Sequence, residues 1–281
     1  MELQLKNIGM IKEANVKIDG LTVIAGENDT GKSTVGKALF DEVREYIFTR
    51  KSKRIVLKED ERVRFPVFID TPNLLVIFEY IKNTAILLQQ NELNFDLPIE
   101  TTDLILRLSQ VKKHNKITPE FESIKRVIQG EVYYDKYKDC ILFKKNGLDK
   151  ALDMEETSNG IKTFGFFQIL LLNQSIQEGT ILILDEPEVH LHPKWQLEMA
   201  KIIVELVKNG VKIVVNSHSP YMIDALKYYS DREKVKSNFY LAEKNRDETS
   251  SISDVTMDIS PIFEKLTEPL RELRKMKLGL K

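Results

Sequence analysis

Residues 26–34, with the sequence GENDTGKST, constrain the fold more than any other stretch. They match the phosphate-binding pattern G-x-x-x-x-G-K-[ST]. The apolar run before them, residues 21–25, is typical of a buried strand, and apolar residues at helical spacing follow. In a loop between a strand and a helix, backbone N–H groups and the positive helix end converge on a phosphate. The alternative is a glycine turn with an incidental lysine, and the flanking segments favour the phosphate loop.

The side chains of this loop suit different parts of ATP with its Mg²⁺. Lys32 can reach the β- and γ-phosphates, and the hydroxyl of Ser33 is a neutral ligand for Mg²⁺. The predicted nucleotide-binding residues of the loop are Gly26, Asn28, Asp29, Thr30, Gly31, Lys32, Ser33 and Thr34.

Composition allows one large α/β domain and excludes several other classes. The 42 Lys and Arg residues nearly balance 43 Asp and Glu residues, so net charge indicates neither disorder nor a polycation. The single Cys140 excludes an internal disulfide and a cysteine-based zinc site. No apolar run approaches a membrane span, and the N-terminus does not resemble a signal peptide. We expect a cytoplasmic protein without membrane association.

Apolar patterning predicts a single domain over residues 1–281, with a helical lobe inserted at about 50–130 and a basic helical tail at about 259–281. We expect the Asp19-Gly20 pair to join a strand at 16–18 to the strand at 21–25 as a tight hairpin. Prolines interrupt the lobe, which excludes a long coiled coil. Further strands are expected near residues 3–5, 67–69, 132–134, 140–143, 180–184, 211–215 and 239–241, and helices near 35–47, 74–88, 104–111, 118–128, 161–176, 195–207 and 259–278.

Two carboxylates, Asp185 and Glu186, directly follow four aliphatic residues. This order places the acids at the C-terminal edge of a strand, where α/β sheets bind ligands. Asp185 can hold Mg²⁺ directly or through water. Glu186 can orient and polarise the water that attacks the γ-phosphate. One such acid is a common accident, but the pair in a chain with a phosphate loop is specific.

Three histidines follow these carboxylates. His218, in the segment NSHSP, ends a second strand at the same sheet edge and can donate to a γ-phosphate oxygen; the alternative is a structural residue or helix cap. His190 and His192 suggest a metal site, but they lack a third ligand, so a loop-closing role is favoured.

Ser158, Asn159 and Gly160 open the apolar helix predicted near residues 161–176. They form either an ordinary helix N-cap or a helix start that binds phosphate. In the second case the phosphate need not be bound to the same subunit. The sequence alone leaves both interpretations open.

The order of these motifs resembles that of ABC-type ATPase heads of the SMC, RecF and OLD (overcoming lysogenization defect) group, over roughly residues 1–230. The block ILILDEPEVHLHP is most similar to that of OLD-type ATPases. The resemblance implies an α/β P-loop NTPase fold, with an ABC-ATPase-like sheet core and an inserted helical lobe. It also implies a Mg²⁺-dependent ATP hydrolase with Lys32, Glu186 and His218 as catalytic residues and Ser33 and Asp185 as metal ligands.

By the same resemblance two heads pair head to tail on ATP. Residues 158–160 stand in for the ABC signature, although they read SNG rather than LSGGQ, and residues 188–192 lie in the loop that meets the partner. The glutamine loop is either Gln89-Gln90 or the segment at 70–72, and Lys12 and Glu13 are candidates for adenine contacts.

The function implied is a switch or clamp in DNA repair or anti-phage defence that acts with a nuclease or other effector protein. We expect no nuclease in this chain, because no Asp-x-Asp pair follows His218 and no Toprim domain is recognisable. Basic residues at 50–54, 112–113 and 274–277 could contact DNA or the partner, or be solvated. The alternatives are the energy-coupling ATPase subunit of a membrane transporter, which the absence of LSGGQ disfavours, and a small-molecule kinase, which has no use for Glu186, Ser158 and His218 together.

Overall fold

The computed structural model describes residues 1–57, 63–70, 73–90, 97–110 and 117–278. The strands are β1 (Glu2–Ile8), β2 (Ile11–Lys17), β3 (Leu21–Gly26), β4 (Ile55–Val56), β5 (Val67–Ile69), β6 (Gly130–Asp135), β7 (Cys140–Lys145), β8 (Leu152–Asp153), β9 (Ile181–Asp185), β10 (Lys212–Ser217), β11 (Ser237–Lys244) and β12 (Ser250–Asp254). The α-helices are α1 (Lys32–Thr49), α2 (Leu74–Gln90), α3 (Ile99–Leu108), α4 (Pro119–Ile128), α5 (Asn159–Leu172), α6 (Pro193–Lys208), α7 (Pro220–Arg232), α8 (Ser260–Leu266) and α9 (Glu268–Lys277).

One large sheet carries the strand order β4-β1-β2-β12-β11-β3-β10-β9-β5. Its part from β11 to β5 is parallel, whereas β4, β1 and β2 form an antiparallel flank that joins through β12. A smaller antiparallel sheet holds β6, β7 and β8. The strand order places β3, β10 and β9 side by side, so the loops after these three strands meet at one edge.

The central strands are apolar on both faces because each face has its own core. In β9, Leu182 and Leu184 pack into the cluster that contains α5, α6 and α7, whereas Ile183 packs into the cluster that contains α1. The same alternation holds in β10, where Val214 faces the α1 side. Strands covered on both sides read as unbroken aliphatic runs, which is why they stand out in the sequence.

The structure confirms most predicted elements, including the strands around the phosphate loop and the helix starts at Thr118-Pro119 and Ser158. The predicted hairpin at Asp19-Gly20 is wrong. β3 lies between β10 and β11, and it pairs in parallel with both, so no edge is left for β2. β2 pairs with β1 and β12 instead.

The predicted lobe contains strands as well as helices, whereas the predicted tail is helical. Helices α2, α3 and α4 lie between β5 and β6, but β5 itself is an edge strand of the large sheet. The predicted tail forms α8 and α9, with Ile262 of α8 fully buried and no buried residue in α9. Within the described part of the chain, no helix combines the length and apolar character needed to cross a membrane.

Candidate functional site

A cavity of about 600 Å³ opens at the edge where β3 and β9 end. Most of the predicted nucleotide and metal residues line this one cavity, although they come from distant parts of the sequence. The predicted residues in its lining are Asn28, Asp29, Thr30, Gly31, Lys32, Ser33, Thr34, Asp185 and Glu186.

The loop before α1 is held in its shape by its own backbone. Gly31, the N-cap of α1, has φ of 84°, in the left-handed region that favours glycine. The hydroxyl of Thr30 donates to the carbonyl oxygen of Glu27 at 2.8 Å. Gly26 lies outside the cavity lining, where a Cβ would meet the carbonyl oxygen of Ala242 in β11 at 2.3 Å. Gly26 therefore lets β3 run close to its neighbour and places the loop that follows.

Lys32 is 4% exposed, and its ammonium group donates to the carbonyl oxygen of Glu27 at 2.5 Å. Burial lowers the pKa of Lys32, and the carboxylates of Glu186 and Asp185 partly oppose that shift. A buried ammonium beside a cavity is costly unless an anion approaches it. The position of Lys32 thus suits a phosphate.

Asn216 of β10 connects the phosphate loop to Asp185. Its amide nitrogen donates to an Asp185 carboxylate oxygen at 2.8 Å and to the carbonyl oxygen of Lys32 at 3.0 Å. In the parallel pairing of β9 and β10, Asn216 lies opposite Asp185. Both residues alternate with the strand residues so that they belong to the face of the sheet that packs against α1. Asn216 therefore fixes the orientation of the predicted metal ligand, a role that was not predicted from the sequence.

Glu186 and His218 lie together, as predicted for two residues at one sheet edge. Oε1 of Glu186 is 3.2 Å from Nδ1 of His218, and the Glu186 N–H donates to the carbonyl oxygen of Asn216 at 2.9 Å. Glu186 has φ of 51°, an unusual conformation for a non-glycine residue. Glu186 lines the cavity, whereas His218 is not among its lining residues.

Glu188 holds the backbone that carries His218. Its Oε1 accepts from the Ser217 hydroxyl at 2.6 Å and from the N–H groups of His218 and Ser219 at 3.0 and 3.2 Å. Burial raises the pKa of the Glu188 carboxyl, while these donors and His218 oppose the shift. By resemblance Glu188 begins the loop that meets a partner, but its side chain is 3% exposed and serves the interior.

Residues 158–160 do not line the phosphate cavity of their own chain. The Ser158 hydroxyl accepts from the Ile161 N–H at 3.4 Å as the N-cap of α5. A Cβ on Gly160 would come within 2.5 Å of the Trp195 ring, so the first turn of α5 packs directly on that indole. Asn159 accepts from the Thr163 hydroxyl through its backbone carbonyl at 3.0 Å. The N-cap interpretation is confirmed; a role toward a second subunit stays a prediction.

The two remaining histidines behave as loop residues. His192 caps α6, with its Nδ1 accepting from the Lys194 N–H at 3.3 Å, and His190 lines the phosphate cavity. Within the described residues, no group of three or more His, Cys, Asp or Glu side chains could hold a metal ion. The favoured loop role of His190 and His192 stays a prediction.

The candidates for the glutamine loop and adenine contacts remain predictions. Asp70 lines the phosphate cavity, and desolvation there raises its pKa, with the Asp185 carboxylate adding to the shift. Residues 71–72 and the basic pair at 112–113 lie outside the described residues, as do the side chains of Gln89 and Gln90. Lys12 and Glu13 do not line the cavity.

Comparison with protein families gives a match over residues 42–224 to the family described as "AAA domain, putative AbiEii toxin, Type IV TA system". The Septu protein PtuA of Bacillus thuringiensis is 28% identical over 169 residues. The aligned part covers 56% of this chain but only 37% of that protein. The resemblance to ABC-type P-loop ATPases is confirmed at this level, and the narrower OLD kinship remains a proposal.

Solved structures show the same fold at low sequence identity. A Smc head domain from Pyrococcus furiosus, bound to the C-terminal domain of ScpA, has a TM-score of 0.52 at 14% identity and covers 97% of this chain and 98% of its own. The SMC head domain from Thermotoga maritima has a TM-score of 0.50 at 13% identity, with 90% and 98% covered. The predicted α/β P-loop NTPase fold with an ABC-type sheet core is therefore confirmed.

Proposed function

This chain belongs to the AAA domain family and is a P-loop ATPase, and we propose that ATP binding pairs two copies of it head to tail. In this proposal the pair acts as a switch in anti-phage defence or DNA repair, inside the cytoplasm and together with an effector protein. The observation that carries the proposal is the convergence of the phosphate loop, Asp185 and Glu186 on one cavity.

Each side chain has a task that follows from its surroundings. Lys32, buried and beside the cavity, attracts the β- and γ-phosphates. Glu186, next to His218, orients the water that attacks the γ-phosphate, and His218 donates toward the same phosphate. Glu188 and Asn216 hold His218 and Asp185 in place.

The residues present also fit Mg²⁺. Ser33 and Asp185 line the same cavity, and one Asp185 oxygen already accepts from Asn216, which orients the carboxylate toward a ligand role. A magnesium ion held by Ser33 and Asp185 would neutralise phosphate charge.

Hydrolysis is tested with two variants that separate binding from turnover. Lys32→Ala should abolish ATP binding, because it removes the cation at the phosphates. Glu186→Gln should bind ATP with wild-type affinity and hydrolyse it at least about a hundredfold more slowly, since it removes the base at the water. The role assigned to Glu186 is refuted if this variant turns ATP over at the wild-type rate.

Dimerisation is supported by the position of residues 158–160. They open α5 with Ser158 exposed, yet they are not part of the cavity of their own chain. A second copy placed head to tail would bring its Ser158 to the open side of the bound ATP.

Sedimentation of Glu186→Gln tests this arrangement. With ATP and Mg²⁺ it should form a dimer, and adding Ser158→Arg should prevent it, because the larger side chain blocks closure. Ser158→Ala is the matched control: it also removes the cap hydroxyl but adds no bulk, so its dimer should persist. An ATP-independent monomer in the first sample would contradict the proposal.

Similarity to the Septu protein PtuA supports the setting in defence. We also propose that this chain is an OLD-like ATPase without a nuclease of its own and that it acts through an effector protein. The purified chain should leave plasmid DNA intact with ATP and either Mg²⁺ or Mn²⁺. Cleavage that disappears in Asp185→Ala would show instead that this chain has its own nuclease site.

A further inference from the structure

A second cavity, of about 620 Å³, shares no lining residue with the phosphate cavity. Its walls come from the C-terminal half of α4, the end of β7, the first turn of α5 and one face of α6. None of the motifs identified in the phosphate loop or at the ends of β9 and β10 contributes to it.

The charge of this second cavity is strongly positive. Four cationic side chains line it, and Glu198 is the one carboxylate among its lining residues. In the described part of the chain, no salt bridge joins Lys145, Lys194 or Lys201 to a carboxylate, but the charges of Lys201 and Arg126 act on the nearby Glu205 carboxylate. The cationic residues are Arg126, Lys145, Lys194 and Lys201. Cations gathered around a concavity attract an anion.

The second cavity also has an aromatic wall. Trp195 is half-buried, follows Lys194 in the first turn of α6 and forms part of the cavity wall. The indole is held from behind, because Phe164 meets it edge to face at 5.6 Å and Gly160 packs on its ring. An aromatic ring that is fixed in place and flanked by cations suits a nucleobase and its phosphate, since bases stack on aromatic rings while lysines neutralise the phosphate.

A neighbouring cavity limits the length of such a ligand. It shares Ser123 and Arg126 with the second cavity, and its other charged lining residues are three carboxylates and one lysine, namely Glu120, Glu122, Glu205 and Lys208. A polyanion extending in that direction would meet carboxylates. The charge distribution therefore favours a short ligand over a continuous strand.

We propose that the second cavity binds a nucleobase that carries phosphate, with the base on Trp195 and the phosphate at Lys194 and Lys201. Such a ligand could be a free nucleotide or the end of a single strand. The inference does not rest on the proposed function, because it requires neither ATP hydrolysis nor dimerisation.

Trp195 is the single tryptophan of the chain, so selectively excited indole fluorescence reports on this cavity directly. Thymidine 5′-monophosphate, an oligothymidylate of about ten nucleotides and inorganic phosphate are titrated separately, without ATP. Saturable quenching by the monophosphate identifies a free-nucleotide site, and quenching by the oligonucleotide alone identifies a strand end. The same titrations in Lys32→Ala should give unchanged affinity, because the phosphate loop plays no part.

Charge reversal tests the lysines. Lys194→Glu/Lys201→Glu should lower the nucleotide affinity measured by quenching about tenfold or more. Lys275→Glu/Lys277→Glu makes an equal charge change on the exposed helix α9 and should change that affinity less than about twofold. Circular dichroism checks that each variant is folded, and Lys194→Gln/Lys201→Gln replaces the first variant if it is not.

Three results would overturn the proposal. The first is the absence of quenching by both nucleotide probes. The second is equal weakening by the cavity variant and the α9 variant, which would indicate nonspecific charge attraction. The third is binding of inorganic phosphate as tight as that of the nucleotide, measured by competition, which would remove the nucleobase from the site.

Discussion

Replacing Glu188 by alanine or by glutamine separates its hydrogen bonds from its charge. Oε1 of Glu188 is the acceptor for the Ser217 hydroxyl and for two backbone N–H groups of the segment that carries His218. The N–H of Ser219 has a second acceptor, the Ser217 hydroxyl oxygen at 3.1 Å. Alanine therefore leaves two buried donors, the Ser217 hydroxyl and the His218 N–H, without an acceptor.

Each buried donor without an acceptor costs about 1–3 kcal/mol. The free energy of unfolding of Glu188→Ala should therefore be about 2–6 kcal/mol lower than that of the wild type. Glu188→Gln keeps the Oε1 acceptor, and we expect a change of less than about 1 kcal/mol at neutral pH. ATP hydrolysis should fall in Glu188→Ala because the His218 backbone loses its anchor, and it should be retained in Glu188→Gln.

Because Glu188 can ionise and glutamine cannot, the stability difference between wild type and Glu188→Gln should depend on pH. Burial raises the pKa of its carboxyl in the folded protein above the unfolded value, so the folded state holds that proton more tightly. The stabilising contribution is fully present below the unfolded pKa and is lost as pH rises through the raised pKa. Glutamine stays neutral at every pH. The stability of Glu188→Gln minus that of wild type should therefore increase with pH.

Urea unfolding followed by circular dichroism, without nucleotide and between about pH 5 and pH 8, measures this difference. The same pair is compared in a His218→Gln background, which removes the titration of the neighbouring imidazole. Equal stability of the alanine and glutamine variants would refute the hydrogen-bond argument. A difference that shrinks as pH rises would refute the argument from burial.

Three further substitutions, with Gly147→Ala as the control for one of them, test the phosphate cavity. Gly31→Ala and Gly147→Ala should each lose about 1 kcal/mol of stability, because both glycines have positive φ. Only Gly31→Ala should also lose ATP binding, which calorimetry can measure. Asn216→Ala should lower stability by about 1–3 kcal/mol and raise the Mg²⁺ concentration needed for hydrolysis, because Asp185 loses its donor; an unchanged Mg²⁺ dependence would contradict this role. Lys32→Met removes a buried charge, so its thermal midpoint without nucleotide should rise above that of wild type while ATP no longer raises it further; a lower midpoint would show that the Lys32 ammonium stabilises the empty site.

The phosphate loop and the strand-end carboxylates could be predicted because their signals are local in sequence. The residues 26–34 specify a turn, a helix start and a cation within one short segment, and the aliphatic run before Asp185 marks a strand buried on both faces. The same reasoning failed at Asp19-Gly20. Its tight-turn chemistry is real, with φ of 80° at Gly20, but the pairing partners of β3 lie far away in β10 and β11.

Asn216 and β12 show what sequence patterns cannot supply. The role of Asn216 depends on the pairing register that sets it opposite Asp185, and register is a property of two strands together. Strand β12, with the sequence SSISD, carries too few apolar residues to be recognised and forms because β11 offers it an edge. The sequence did contain one signal for Asn216. It is a polar residue two positions after the buried Val214, so both side chains belong to the same face of the strand.

Through the contact between Gly160 and Trp195, the second cavity would be coupled to the phosphate cavity of a second copy, and this coupling can be measured. If Ser158 meets the ATP of a second copy, the first turn of α5 must hold its position, and that turn rests on the indole that lines the second cavity. A nucleotide on Trp195 should then change the dimerisation constant of Glu186→Gln with ATP. Because the dimer holds two such cavities, linkage requires saturating nucleotide to change the dimerisation constant by the square of the factor by which dimerisation changes the affinity of each cavity. Sedimentation with and without thymidine 5′-monophosphate gives the first factor, and indole quenching with and without ATP gives the second. Two factors of one would show that the cavities are independent, and a first factor that differs from the square of the second would show that a third state, such as a different oligomer, is present.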